Sequence, residues 1–151
     1  MDAEGRKIFG NCATQTDRDG VVKLTYLSAL LLSEDPDDKE HACLAIAAIA
    51  QDAPDNRKSL FEHKISGQVL GVLKETCQQA MPRQRLQRVA VMALSELAQD
   101  FDAFQQLIRK EGAVKMLLDM TAPTNDPYLI KETLACLGRI TQNNPAIQKE
   151  L

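Results

Sequence analysis

Three segments of this chain follow one plan, and that repetition restricts the fold more than any other property of the sequence. The clearest is residues 83–100, RQRLQRVAVMALSELAQD, whose apolar residues Leu86, Val89, Ala90, Ala93, Leu94 and Leu97 are spaced 3, 1, 3, 1, 3. That spacing lines one face of an α-helix. Residues 40–52, EHACLAIAAIAQD, lie over it with Ala45 under Ala93, and residues 132–143, ETLACLGRITQN, with Cys136 under the same residue. Ile46, Leu94 and Leu137 then align, as do Ile49, Leu97 and Ile140, and Gln51, Gln99 and Gln142, at offsets of 48 and 43 residues. One such helix cannot cover its own apolar face, so the copies must stack. The six aligned Leu and Ile residues are the expected core between them.

Proline and glycine divide the rest of the chain into shorter helices. A weak helix is expected over 2–12, carrying Ile8 and Phe9, then a polar turn over 14–20 ending in Asp19-Gly20, then an apolar helix over 21–33. Pro36 opens the next helix, and the acids beside it suit a positive helix N-terminus. Pro54 breaks the chain before a short helix over 56–63, and Gly67 is expected to turn into a helix over 68–79. Pro82 precedes the reference helix, a short helix follows over 102–110, and Gly112 turns into a helix over 113–121. Asp126-Pro127 opens the third long helix, to residue 143, and Pro145 starts a short final one. The order is short helix, glycine turn, middle helix, turn, long helix, and Gly20-Val-Val-Lys-Leu matches Gly112-Ala-Val-Lys-Met within it. A three-helix unit of this period is that of armadillo or HEAT arrays.

Composition agrees with close-packed helices in a reducing compartment. Aromatic residues make up 4% of the 151 residues and there is no Trp, which favours helices over sheets. A net charge of −3 argues against nonspecific nucleic-acid binding, which needs a basic excess. Cys12, Cys43, Cys77 and Cys136 show no paired spacing and are read as free thiols. The chain opens Met1-Asp-Ala-Glu, without the basic and apolar regions of a signal peptide. Its most apolar windows, 27–32 and 42–50, fall far short of the ~20 residues that span a bilayer. No membrane insertion is therefore expected, and the expected location is cytoplasmic, with the nucleus as the alternative.

Motifs for chemistry are weak. With Gly20 at the sixth place of a calcium loop, the first and twelfth places fall on Gln15 and Tyr26, where carboxylates are needed. His41 and Cys43 are two apart on a helix and point in different directions, and His63 sits at a helix end. No phosphate loop or nucleophile elbow appears. Neither an enzyme nor a metal or cofactor is expected.

Met92-Ala-Leu-Ser-Glu-Leu-Ala98 resembles the Trp-Ala-Leu-Ser-Asn-Ile-Ala frame of the armadillo-repeat family, and residues 104–112, FQQLIRKEG, are similar to its following short helix and glycine turn. The resemblance covers about residues 20–151. It implies an all-α, right-handed α-solenoid, a single domain over 1–151 of about three repeats. HEAT-like repeats are the alternative, disfavoured by that glycine. The family's peptide-binding members, importin-α and β-catenin among them, ladder Trp and Asn along a concave face. Here the Trp positions are Leu44, Met92 and Ala135, and the Asn positions Ala48, Glu96 and Arg139, so binding of the importin-α kind is not expected.

One turn before the Trp positions lie Glu40, Arg88 and Lys131 on the same face. The expected partner-binding grid is thus Glu40, Leu44, Arg88, Met92, Glu96, Lys131, Ala135 and Arg139, with Ala48 beside them. An apolar row flanked by mixed charge suits an amphipathic helix or an extended segment of another protein. The plainer reading is solvated helix faces, with Leu44 and Met92 packed against the neighbouring repeat. Arg83, Arg85, Arg88, Arg109 and Lys110 make the middle repeat basic, and Glu34, Asp35, Asp37, Asp38 and Glu40 make the preceding turn acidic. These runs read as solvated turns or repeat-to-repeat ion pairs, with phosphate binding by the arginines the alternative. The function expected from the resemblance is a protein-interaction scaffold or adaptor. The alternative, on fold analogy, is an armadillo-type co-chaperone of the Hsp70 nucleotide-exchange or myosin-chaperone class. A further glycine and middle helix are due after Leu151, so either the array continues or another chain covers its end, and self-association through exposed repeat ends is expected in the second case.

Overall fold

A computed structural model describes residues 18–142 and 144–151. The helix expected over 2–12, Cys12 and the start of the polar turn lie outside the described residues. Within them every regular element is a helix and there is no strand: α1 Arg18–Leu31, α2 Pro36–Ala50, α3 Pro54–Glu62, α4 Ile65–Gln78, α5 Gln84–Ala98, α6 Asp102–Lys110, α7 Ala113–Asp119, α8 Pro127–Thr141 and α9 Pro145–Gln148. None is long and apolar enough to cross a membrane.

The long helices α2, α5 and α8 each have 15 residues and begin and end at equivalent positions of the repeat. Asp35 and Asp126 cap α2 and α8 by accepting the amides of Asp37 and Leu129, whereas Arg83 at the start of α5 offers no side-chain acceptor. All three helices end in Gln51, Gln99 or Gln142, with φ near −60° and ψ of 123°, 116° and 121°. Asp52 and Asp100 then turn the chain through left-handed backbone, at φ 52° and 51°. Ala53, Phe101 and Asn144 enter the short helices at φ/ψ of −135/81°, −128/88° and −127/86°. Over the described residues the connector repeats one backbone path with different residues.

The last carbonyls of a helix have no partner within it. Here the following short helix supplies one, by a side chain seven residues on. Arg57 Nε donates to Ala50 O at 2.9 Å, Gln105 Nε2 to Ala98 O at 2.8 Å, and Gln148 Nε2 to Thr141 O at 2.8 Å. Two more bonds join neighbouring copies: Arg57 Nη1 donates to Gln99 O, and Asn144 Nδ2 to Gln105 Oε1, both at 3.0 Å. Side-chain caps and bridges thus form a polar seam along one end of the long helices.

The second left-handed turn corrects the reading of Gly67. Lys64, with φ 67°, stands where Gly112, with φ 74°, stands in the next copy. Gly67 lies inside α4. Lysine accepts a conformation that glycine takes freely because the flanking helices dictate the path. The start of α1 is a second correction. Asp19 and Gly20 are helical, and a helix from Arg18 leaves no room for a calcium loop over 15–26. An acid in a first helical turn is favourable, and one glycine costs a helix only about 1 kcal/mol.

Packing follows the repeat: α2 lies on α5 and α5 on α8, while α4 and α7 back their own long helices and α1 packs on both α2 and α4. Ten residues of α5 are buried against six of α2 and five of α8, as befits the helix with a neighbour on each side. Ile46, Ile49, Leu94, Leu97, Leu137 and Ile140 are all in the core, as the apolar spacing predicts. Phe61 packs edge-on against Phe101 and Phe104 beneath the short helices.

Candidate functional site

The equal registers of α2, α5 and α8 bring one face of each helix to a shared cleft of about 290 Å³. Leu44 and Ala48 line it from α2, Met92 and Glu96 from α5, and Ala135 and Arg139 from α8. These are the residues of the predicted apolar row and of the row beyond it. Leu44 and Met92 are half-buried, and Ala135 is exposed at the rim. Arg139 Nη1 reaches across to Glu96 Oε1 at 2.8 Å, closing one end of the cleft with an ion pair.

The remaining three predicted residues, Glu40, Arg88 and Lys131, do not line the cleft. Glu40 is the clearest correction. It is buried, with Arg83 Nε 2.9 Å from Oε1 and Arg85 Nε 3.7 Å from Oε2, and Arg83 also holds Asp37. The Arg83 Nε contact is an ion pair without hydrogen-bond geometry, so Oε1 lacks a hydrogen-bond donor among the described residues. The physical reason lies at the start of α5. Its first turn has no side-chain cap, and Arg83 and Arg85 there draw the Glu40 carboxylate in from α2. The acidic run and the basic run therefore meet as repeat-to-repeat ion pairs. Arg88 stacks over the Tyr128 ring, its guanidinium carbon 5.7 Å from the centroid, and Lys131 is exposed.

Four lining residues escaped the sequence reading: Ala47, Gln51, Ser95 and Glu132. The available signal was helical spacing, since Ala47, Ser95 and Glu132 lie three residues from Leu44, Met92 and Ala135. Glu132 has no ion-pair partner among the described residues, so the lining carries two carboxylates and one guanidinium. It contains no histidine, cysteine or lysine. Such a surface can seat an apolar side chain on Leu44 and Met92 and place a cation on Glu132.

Chemistry-bearing groups elsewhere are dispersed. Burial pushes the Cys43 and Cys136 thiols up to about 12. Cys77 is exposed as a residue, yet its sulfur rests against Met120 Sδ at 3.7 Å and Gln87 Nε2 at 3.8 Å, and this partial burial raises it as well. His41 is exposed, and His63 Nδ1 lies 2.8 Å from Ser59 O. Among the described residues no three His, Cys, Asp or Glu side chains are grouped to hold a metal ion. In sequence, the chain matches no model of a known protein family and no curated protein.

Proposed function

We propose that this chain is an armadillo-like α-solenoid segment that acts as a protein-interaction module, holding a segment of a partner protein in the cleft over α2, α5 and α8. The observation that carries this reading is the cleft itself: three copies of one helix place Leu44, Met92 and Ala135 together, with a charged clasp at one end. The common connector geometry and the left-handed turns at Lys64 and Gly112 support the repeat class. The ligand that fits is an extended or helical segment with an apolar anchor for Leu44 and Met92 and a basic residue for Glu132. The positive charge follows from the lining, in which Arg139 is already taken by Glu96.

Peptide display on the folded chain tests this. Enriched peptides are expected to share an apolar residue with a nearby Lys or Arg. Met92→Lys is expected to weaken them about tenfold or more, as loss of a central anchor does. Glu132→Gln should weaken binding less and lower its salt sensitivity. Peptides that bind Met92→Lys as well as wild type would place recognition elsewhere.

A further inference from the structure

The outer faces of the stack differ from its inner joints in one register, and that register identifies what fits them. In the cleft, α2 contributes Ala47 and α8 contributes Glu132, which fixes the direction of the stack around each long helix. Residues turn by about 100° each along a helix. Hence the residue just before Leu44, Met92 or Ala135 looks toward the following copy, and the residue just after it toward the preceding one. On the following side stand Cys43, Val91 and Leu134. Cys43 and Val91 are 0% exposed, whereas Leu134 is 54% exposed. On the preceding side stand Ala45, Ala93 and Cys136. The last two are fully buried, but Ala45 is part-exposed beside a cleft of about 450 Å³ that Tyr26, Leu27 and Leu30 also line.

We propose that these two edges bind each other, a second copy of this chain docking its α2 edge on the α8 edge, head to tail, in the register of the internal joints. Two observations select that occupant. The first is size. Leu134 would oppose Ala45 and the Tyr26, Leu27 and Leu30 side of a cleft that Lys23, Asp38 and His41 also line, just as Cys43 shares its register with Ala93 and Val91 with Cys136. The second is charge. At the α2–α5 joint the residue that starts the following helix, Arg83, pairs with Asp37 and Glu40. The equivalent positions across the new joint are Asp35 on the incoming copy and Tyr128 and Lys131 on the receiving one. Asp35 then faces Lys131, one opposite-charge pair with the signs exchanged, beside the neutral Tyr128. Tyr128 and Lys131 are both exposed on the described surface. Because the two faces differ, each added copy leaves one of each kind open, and assembly does not end at two. This inference rests on the repeat register and is independent of any ligand in the long-helix cleft.

Sedimentation velocity of the full chain, from micromolar to millimolar protein, tests it. The mean mass is expected to rise with concentration past that of a dimer, and to fall at high salt. Leu134→Asp and Ala45→Arg should each be monomeric alone, and an equimolar mixture should form a one-to-one dimer and nothing larger. A wild type that stays monomeric at millimolar concentration would overturn the proposal. So would a single variant that still associates, or a mixture of folded variants that does not. Should either variant fail to fold by circular dichroism, Lys131→Glu decides instead. Its exposed side chain leaves the core untouched, association should weaken several-fold, and unchanged association would overturn the proposal. Display peptides should bind Leu134→Asp and wild type equally, which separates this test from that of the cleft.

Discussion

The joints on the two sides of α5 share an apolar register but place their charges differently. Between α2 and α5 the ion pairs gather at the helix starts, where Arg83 and Arg85 enclose the buried Glu40. Between α5 and α8 the equivalent region holds Arg88 over Tyr128, and the ion pair moves to the cleft as Arg139–Glu96. Repeated apolar faces are nearly interchangeable, so hydrophobic burial alone would let copies stack in the wrong order. Charges that differ from joint to joint penalise those alternatives. The apolar face therefore makes the copies stack, and the polar residues decide which copy is neighbour to which.

The largest expected effect comes from removing what the joints share. Leu94 is fully buried in α5, and Leu94→Ala should cost about 2–5 kcal/mol in urea unfolding. A loss below about 0.5 kcal/mol would mean that α5 does not carry the common core.

Charge deletion should separate the joints. Arg83→Ala strands Glu40 in a buried site with only the longer Arg85 contact, and about 1–3 kcal/mol is expected. Arg139→Ala leaves Glu96 in a cleft that water reaches, and about 1 kcal/mol or less is expected. Equal losses in parallel melts would erase the distinction between the joints.

The left-handed turns give a smaller contrast. A methyl group at Gly112 would meet nothing within 4 Å, so the cost of Gly112→Ala is purely conformational, about 1–2 kcal/mol. Lys64→Gly relieves the same strain but loosens the unfolded chain, and a net change within about 0.5 kcal/mol is expected from melting curves. A large loss at Lys64→Gly would show that its side chain holds the turn.

One buried thiol lies in each joint, and neither bears on pH dependence near neutrality. In the unfolded chain a thiol ionises near ~8.5, whereas burial holds Cys43 and Cys136 protonated up to about 12. The unfolded state thus binds fewer protons between those values, and stability should fall as pH rises through that window. Cys43→Ala and Cys136→Ala should each flatten the alkaline slope of unfolding free energy. A slope unchanged in both would show that neither thiol governs it.

Leu94, Ile46 and their aligned partners were legible because burial of a helix face leaves a periodic trace in the chain itself. Leu44, Met92 and Ala135 followed from the same register. Glu40 was not legible in this way. Its face was readable, but its direction depends on an uncapped helix start 43 residues later in the sequence, at Arg83. Lys64 was missed for a related reason: glycine is the local signal for left-handed backbone, and here the repeat imposes that conformation on a lysine.

The polar seam has a consequence for how the molecule comes apart. Because Arg57 holds both Ala50 and Gln99, and Gln105 holds Ala98 while receiving Asn144, no internal long helix can fray without loosening its neighbour's fastening. The fastenings are unequal, since the Arg57–Ala50 and Gln105–Ala98 bonds are buried and the Gln148–Thr141 bond is exposed. Amide exchange should therefore be faster in the final turn of α8 than at the ends of α2 and α5, and opening there should loosen the neighbouring copies in turn.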